Sequence, residues 1–253
     1  MFFKKRQLSA FIFLATSGAV FFNASIANAD SINHTDEGFI NPITAGSGDD
    51  TVVIDNTYVD KVNENGYMID TGVGNDTLIF SNYQDGKIAD NSLFNTGDGD
   101  DIIVFNTMYS DSNEASLDGA SFLGGAGNDN ITVQNNPYLL HFTMKGEEGN
   151  DTLQLKNVGN ATLATMIGGD GNDILLVQNS TCSFGCYLDG DDVAQGITGG
   201  NNQLIITNST VSIGESYDLV DDDGVNVGTV SGGINNFTDV VVTNHSSITI
   251  GGG

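Results

Sequence analysis

The chain is poor in several residue types on which other architectures depend. Of 253 residues, two are cysteine, two are proline and none is tryptophan, while seven lysines or arginines face 33 acidic residues, for a formal charge of −26. So few cations exclude an electrostatic grip on nucleic acid or on an anionic membrane, and the acidic excess draws cations instead. The one arginine is Arg6, so the rest of the chain lacks the bidentate donor that phosphates and sugar carboxylates usually meet. Beyond the N-terminal stretch no apolar run approaches the ~18 residues of a membrane-spanning helix. No long stretch places apolar residues at helical spacing, and glycine, asparagine, aspartate, threonine and valine dominate, which argues against helix throughout. Disorder is excluded too, because 39% of residues are hydrophobic and they recur in register.

The basic N-terminus has its own reading. Lys4, Lys5 and Arg6 precede a mostly apolar run from Leu8 to Phe22, and Ala27-Asn28-Ala29 offers a small-residue cleavage site. Residues 1–29 therefore read as a secretory signal peptide, with the mature chain beginning at Asp30. Export places Cys182 and Cys186, which flank Ser183-Phe184-Gly185, in an oxidising compartment, where a disulfide closing that short loop is expected. Loop-closure entropy gives so small a ring little stabilising power, so its expected role is to shape a protrusion.

Against these absences stands one repeated feature. Six times between Ala45 and Asp173 an acidic glycine turn of six residues recurs, most fully as Gly124-Gly125-Ala126-Gly127-Asn128-Asp129 and Gly168-Gly169-Asp170-Gly171-Asn172-Asp173. Position six of the turn is Asp50, Asp76, Asp101, Asp129, Asp151 and Asp173. Position eight is Val52, Leu78, Ile103, Ile131, Leu153 and Leu175, and position ten is Ile54, Phe80, Phe105, Val133, Leu155 and Val177. Two residues before the turn stand Ile43, Ile69, Phe94, Phe122, Met144 and Met166. All are apolar, and this alternation predicts one strand entering the turn and another leaving it, each with one face inward. Position twelve is Asn56, Asn82, Asn135, Asn157 and Asn179, with Thr107 in the remaining copy; Asn208 and Asn244 continue the row after the acidic turn has disappeared. An asparagine ladder along the stack is expected there.

Units of this kind bury their apolar face only by stacking. The expected fold is all-β, a single right-handed parallel β-helix or β-solenoid of about eight coils, roughly 40 Å long at a strand spacing near 4.8 Å. Residues 30–41 form a lead-in or cap and residues 42–253 the solenoid, with acidic glycine turns over 45–173 and divergent coils over 174–253. Length varies on the far side of each coil, in loops of the kind that carry recognition on a rigid scaffold.

Stacking brings the position-six carboxylates to within about 4.8 Å of one another, which permits two chemistries. A calcium ion, with oxygen ligands at about 2.4 Å, fits between successive turns if turn carbonyls complete its shell. Alternatively the motif is turn chemistry alone: glycine permits positive φ, and the asparagine found at position five in four of the six copies tolerates left-handed backbone.

The consensus Gly-Gly-x-Gly-x-Asp-x-aliphatic-x, followed fully by the copies at Gly124 and Gly168, resembles the calcium-binding repeats of RTX secreted proteins. The other copies depart from it, with Ala45, Thr71 and Thr96 at position one and Glu147 at position two, and the unit occurs once per coil rather than in tandem every nine residues. One motif per coil behind a signal peptide is more similar to the β-helical passenger of a bacterial autotransporter. That resemblance implies a non-enzymatic, adhesin-like virulence protein, exported to the outer membrane, cell surface or extracellular space of a Gram-negative bacterium. Its partner would be a ligand on a host or neighbouring cell, and its C-terminal outer-membrane barrel would be separate or missing from this sequence. The likeness to RTX repeats implies Ca²⁺ as cofactor, held by Asp50, Asp76, Asp101, Asp129, Asp151 and Asp173.

No catalytic residues are expected. His34, His141 and His245 lie far apart in the repeat, Asp221-Asp222-Asp223-Gly224 lacks the first-position Asp and twelfth-position Glu of a calcium-binding helix–loop–helix, and a Gly-Asp-Ser-Gly motif is absent. The alternatives are a β-helical polysaccharide lyase or hydrolase and a purely structural stalk that binds no ion.

Overall fold

Alternation within each repeat produces short strands that do not fold back on one another; each pairs instead with its counterpart one coil away. In the computed structural model, which describes residues 24–25, 32–34, 43–55, 68–81, 92–106, 118–192, 195–213, 217–220, 226–230 and 233–250, Thr143–Glu148 enters an acidic turn, Thr152–Lys156 leaves it, and Asn160–Thr162 follows. Met144 lies beside Phe122 and Met166, Leu153 beside Ile131 and Leu175, and Ala161 beside Leu139 and Cys182, all in parallel pairing. Three walls result, with nine, nine and five strands among the described residues. The one antiparallel pair described joins Tyr217–Val220 to Asn226–Val230. The fold is an all-β parallel β-solenoid.

Among the described residues the complete three-walled turns number five, not the eight coils expected, the first third-wall strand described being Tyr138–Leu140. Position-six residues are 22 apart between Asp129 and Asp173 and 25 to 28 apart in the earlier coils. The extra residues fall in 56–67, 82–91 and 107–117, which lie outside the described residues and take Asn56, Asn82 and Thr107 with them. At the N-terminal end, Ile32–His34 adds a strand to the second wall beside Thr51–Asp55, and Ala24–Ser25, within the stretch whose sequence resembles a signal peptide, adds one to the first wall.

The core fills the space between the walls. Val52, Leu78, Ile131, Leu153 and Leu175 are fully buried, as are Ile69, Phe94, Phe122, Met144 and Met166. Each contributes about 1.5–3 kcal/mol by leaving water. Early coils use aromatic rings, with Phe94 stacked on Phe122 at 5.0 Å between centroids and Phe80 edge-on to Phe94 at 4.9 Å. The disulfide between Cys182 and Cys186 forms, but it does not shape a protrusion: both sulfur-bearing residues are fully buried. Cys182 stands in register with Ala161, and Cys186 likewise precedes its first-wall strand as Ala164 does one coil earlier, so the bridge supplies core volume that alanines leave unfilled. Only Phe184, 71% exposed, projects from the loop.

Where the second wall ends, two columns of side chains run along the stack. The amide of Asn135 donates to Asn106 Oδ1, Asn157 to Asn135, Asn179 to Asn157 and Asn208 to Asn179, at 2.7–3.1 Å. Asn135, Asn157, Asn179 and Asn208 have φ between +49° and +59°, and the last three are exposed. One residue further, a buried column uses hydroxyls: the N–H of Val158 donates to Ser180 Oγ, that of Ser180 to Ser209 Oγ and that of Ser209 to Ser246 Oγ, at 3.0–3.1 Å. Because the amides are hydrated, Asn157→Gly should change stability by no more than about 0.5 kcal/mol. Asn157→Ala should cost about 1–2 kcal/mol, since a Cβ residue without a local polar group is strained in left-handed backbone. Urea denaturation of both variants checks this, and equal losses would assign the asparagines a bonding role instead.

Candidate functional site

The acidic turns join the first wall to the second. Their tight path needs positive φ at position four, glycine in all six copies, as in Gly127 at +142° and Gly149 at +135°. The turn then swings position six inward. Asp50, Asp76, Asp101, Asp129, Asp151 and Asp173 are each at most 3% exposed, so the sequence-derived carboxylates are brought together, inside the coil and not on its rim.

From Asp76 onward each Oδ1 accepts the backbone N–H of the equivalent residue one coil earlier. Asp50 N donates to Asp76 at 2.7 Å, Asp76 to Asp101 at 2.6 Å, Asp101 to Asp129 at 2.8 Å, Asp129 to Asp151 at 2.7 Å and Asp151 to Asp173 at 2.8 Å. Asp173 N donates in turn to Asn202 Oδ1 at 2.7 Å. Asn202 therefore ends the column with an amide in the place of a carboxylate. It was missed in the sequence, although Gly200-Asn201-Asn202 repeats Gly171-Asn172-Asp173 with that one change.

Position five builds an outer column that runs the other way. Asn75 N donates to Asp49 Oδ1, Asp100 N to Asn75, Asn128 N to Asp100, Asn150 N to Asn128, Asn172 N to Asn150 and Asn201 N to Asn172, at 2.8–3.0 Å. None of these residues has positive φ. Left-handed tolerance is thus not why asparagine recurs there; an acceptor oxygen is required, which Asp or Asn supplies. The N–H and amide of Asn128 hold the solvated carboxyl of Asp100 below its ordinary range.

Ionised, the inner column would carry charge that no neighbouring cation compensates. Oδ2 of Asp76, Asp101, Asp129, Asp151 and Asp173 is buried without a hydrogen-bond partner. Burial pushes Asp101 up to about 6, Asp129 to about 7, Asp151 to about 8 and Asp173 to about 6, against the opposing pull of the donated N–H groups. Asp151 is raised further by carboxylates on both sides, Asp129 and Asp173.

Position one decides what borders the free oxygen. At Gly124, Gly146 and Gly168 an added Cβ would overlap Oδ2 of Asp129, Asp151 and Asp173 respectively, and at Gly146 and Gly168 it would also overlap the carbonyls of Gly168 and Gly190. Glycine here makes a slot holding one carboxylate oxygen beside one main-chain carbonyl. Where threonine stands at position one, its hydroxyl donates instead to the next coil, Thr71 to Thr96 O at 3.0 Å and Thr96 to Gly124 O at 2.9 Å.

These oxygens fit a hard cation in kind, since each is buried and unpaired and becomes anionic on losing its proton. Among the described residues no three His, Cys, Asp or Glu side chains converge on a metal position. Calcium takes about six to eight oxygens, so most of a shell here would come from main-chain carbonyls and water. Bound, the ion would supply the positive charge that the column lacks. The histidines are not brought together: His141 Nδ1 pairs with Asp118 Oδ1 at 3.1 Å on the surface, and His245 follows the second-wall strand Asp239–Thr243. Asp221-Asp222-Asp223 lies outside the described residues, among which no helix is long and apolar enough to cross a membrane. No protein family, no curated protein and no solved structure matches the chain.

Proposed function

We propose that this is an exported, non-enzymatic surface protein, an adhesin-like right-handed solenoid whose stack is ordered by calcium and whose loops meet a ligand on another cell. The observation that supports it most is the buried column itself. A row of acceptors repeated coil after coil fixes the spacing of a rigid rod, which suits display and leaves unpaired oxygens for a cation. The signal-like N-terminus supports export, and the right-handed sense is the one that connections between parallel strands almost always take. The test of export is intact-cell labelling after expression with the native leader, with the labelled protein beginning at Asp30.

A second reading, a stalk that binds no ion, is favoured by Asn202, which makes the column's bond without a charge. Thermal unfolding separates the two. Millimolar calcium is expected to raise the melting temperature by several degrees, because an ion bound only to the folded chain stabilises it by mass action. Magnesium, which demands a stricter octahedral shell, should do less. Equal stabilisation by calcium and by sodium at matched ionic strength would leave only screening of the −26 charge and would favour the stalk.

A further inference from the structure

The core stays open at the C-terminal end of the stack. Gly233–Asn235 is the last strand of the first wall, Asp239–Thr243 of the second and Ser247–Ile250 of the third, and among the described residues no further strand pairs with them. Val240 and Val242 stand in register with Leu204 and Ile206 in the inward rows, yet they are 43% and 42% exposed where Leu204 and Ile206 are fully buried. Ile234, Phe237 and Ile248 pack on the same core and are only partly buried.

Main-chain groups point the same way. Asp239 N–H donates to the Asn202 carbonyl and Asn208 N–H to the Thr243 carbonyl, so Asp239, Val241 and Thr243 turn back to the preceding coil. Alternation along a strand then directs the N–H and C=O groups of Val240 and Val242 out of the stack. An edge of this kind is a template for another strand. Charge distinguishes the same end: residues 233–250 carry one carboxylate, Asp239, and no Lys or Arg, in a chain of net charge −26. Two copies can meet there without setting their acidic turns against each other.

We propose that this end is an isologous dimer interface, at which Asp239–Thr243 of two copies pair antiparallel about a two-fold axis through Val241. The segment Val240-Val241-Val242 reads the same in both directions. Val240 of each copy therefore lies opposite Val242 of the other on the inward face, and the two exchange both main-chain bonds. The same rotation turns Ile234 and Phe237 of each copy towards Ile248 of the other, so the interface continues the stacking that every earlier coil makes with the next. Head-to-tail stacking, which would not close, is disfavoured because the second wall begins at the three-residue strand Ile32–His34, too short to match the five residues of Asp239–Thr243. The junction needs neither calcium nor a ligand on another cell.

Sedimentation velocity of the full chain over a range of concentrations, with calcium held constant, tests the proposal. A reversible monomer–dimer equilibrium with no larger species is expected. Val241→Glu should weaken the dimer by about tenfold or more, because it crowds carboxylates at the axis beside Asp239 of both copies. The melting temperature of the dilute monomer should change little, since Val241 faces outward and is 36% exposed. Gln154→Glu, in the same outward row three coils earlier, makes the same change of net charge and should leave the dimer intact. Val241→Cys should give a disulfide-linked dimer under mild oxidation, since a non-hydrogen-bonded antiparallel pair holds its Cα atoms about 4.5 Å apart; Gln154→Cys should not. A monomer at every concentration would mean that something other than a second copy covers this end. That result, growth beyond the dimer, or a dimer indifferent to Val241→Glu would overturn the proposal.

Discussion

Gly149→Ala is expected to abolish stacking at the centre of the solenoid, whereas the same substitution at Gly48 should be survivable. Both glycines occupy position four with positive φ, +135° and +114°, so both variants carry the same backbone strain of about 1–2 kcal/mol. They differ in what a new methyl group meets. At Gly149 a Cβ would overlap the carbonyl of Gly127 one coil earlier, in a residue fixed by its N–H bond to Glu148, whereas at Gly48 nothing lies within 4 Å. Relief at Gly149 requires two coils to separate, which breaks the N–H bond from Gly127 to Glu148 and the neighbouring links of the two acidic columns. The expected loss is therefore at least about 4 kcal/mol, the size of a severe core disruption. That would be read as a much lower urea midpoint or as failure to recover folded protein. Equal costs at the two positions would mean that the coils do not approach as closely as the turns imply.

The contrast marks how far the sequence could be read. Periodicity identified the inward residues correctly, because a residue that alternates through successive copies, such as Phe94, Phe122 and Met144, can face only the core or solvent, and apolar side chains settle which. The same logic fails for Asp151. An aspartate is at home in a solvated turn and equally able to accept a buried N–H, so neither its type nor its period says on which side of the wall it lies. Asn202 held the missing clue, since an amide in the aspartate's register points to a required acceptor rather than a required charge. Coil count failed for another reason. The row from Asn135 to Asn179 contributes one residue per coil, so it measures the stack and is silent about how many walls each turn has. Only three residues separate the cysteines, which suggests a surface staple, yet Cys182 points inward from its third-wall strand and Cys186 is buried just before the following first-wall strand.

The column's electrostatics give the other large expected effect: in the presence of a chelator, the melting temperature should fall as pH rises from about 4 to about 8. Asp129 and Asp151 are pushed up to about 7 and about 8 in the folded chain, mainly by burial, from an ordinary 3.8. Between the ordinary and the raised values the folded state holds protons that the unfolded state has released, so stability decreases with pH over that window and levels off above it. Several coupled carboxylates make the total drop on the order of 10 °C. Asp151→Asn should flatten the profile, because an amide keeps the oxygen that accepts Asp129 N–H, as Asn202 does for Asp173, and carries no charge to bury. At pH 8 with chelator this variant should melt above the parent chain. With millimolar calcium the order should reverse if the ion sits at the free Oδ2, because the parent gains a partner that the amide cannot supply. A melting temperature that climbs steadily from pH 4 to 8 in chelator would show that the carboxylates are stabilised as anions by the protein alone, and the column would then have no need of either a proton or an ion.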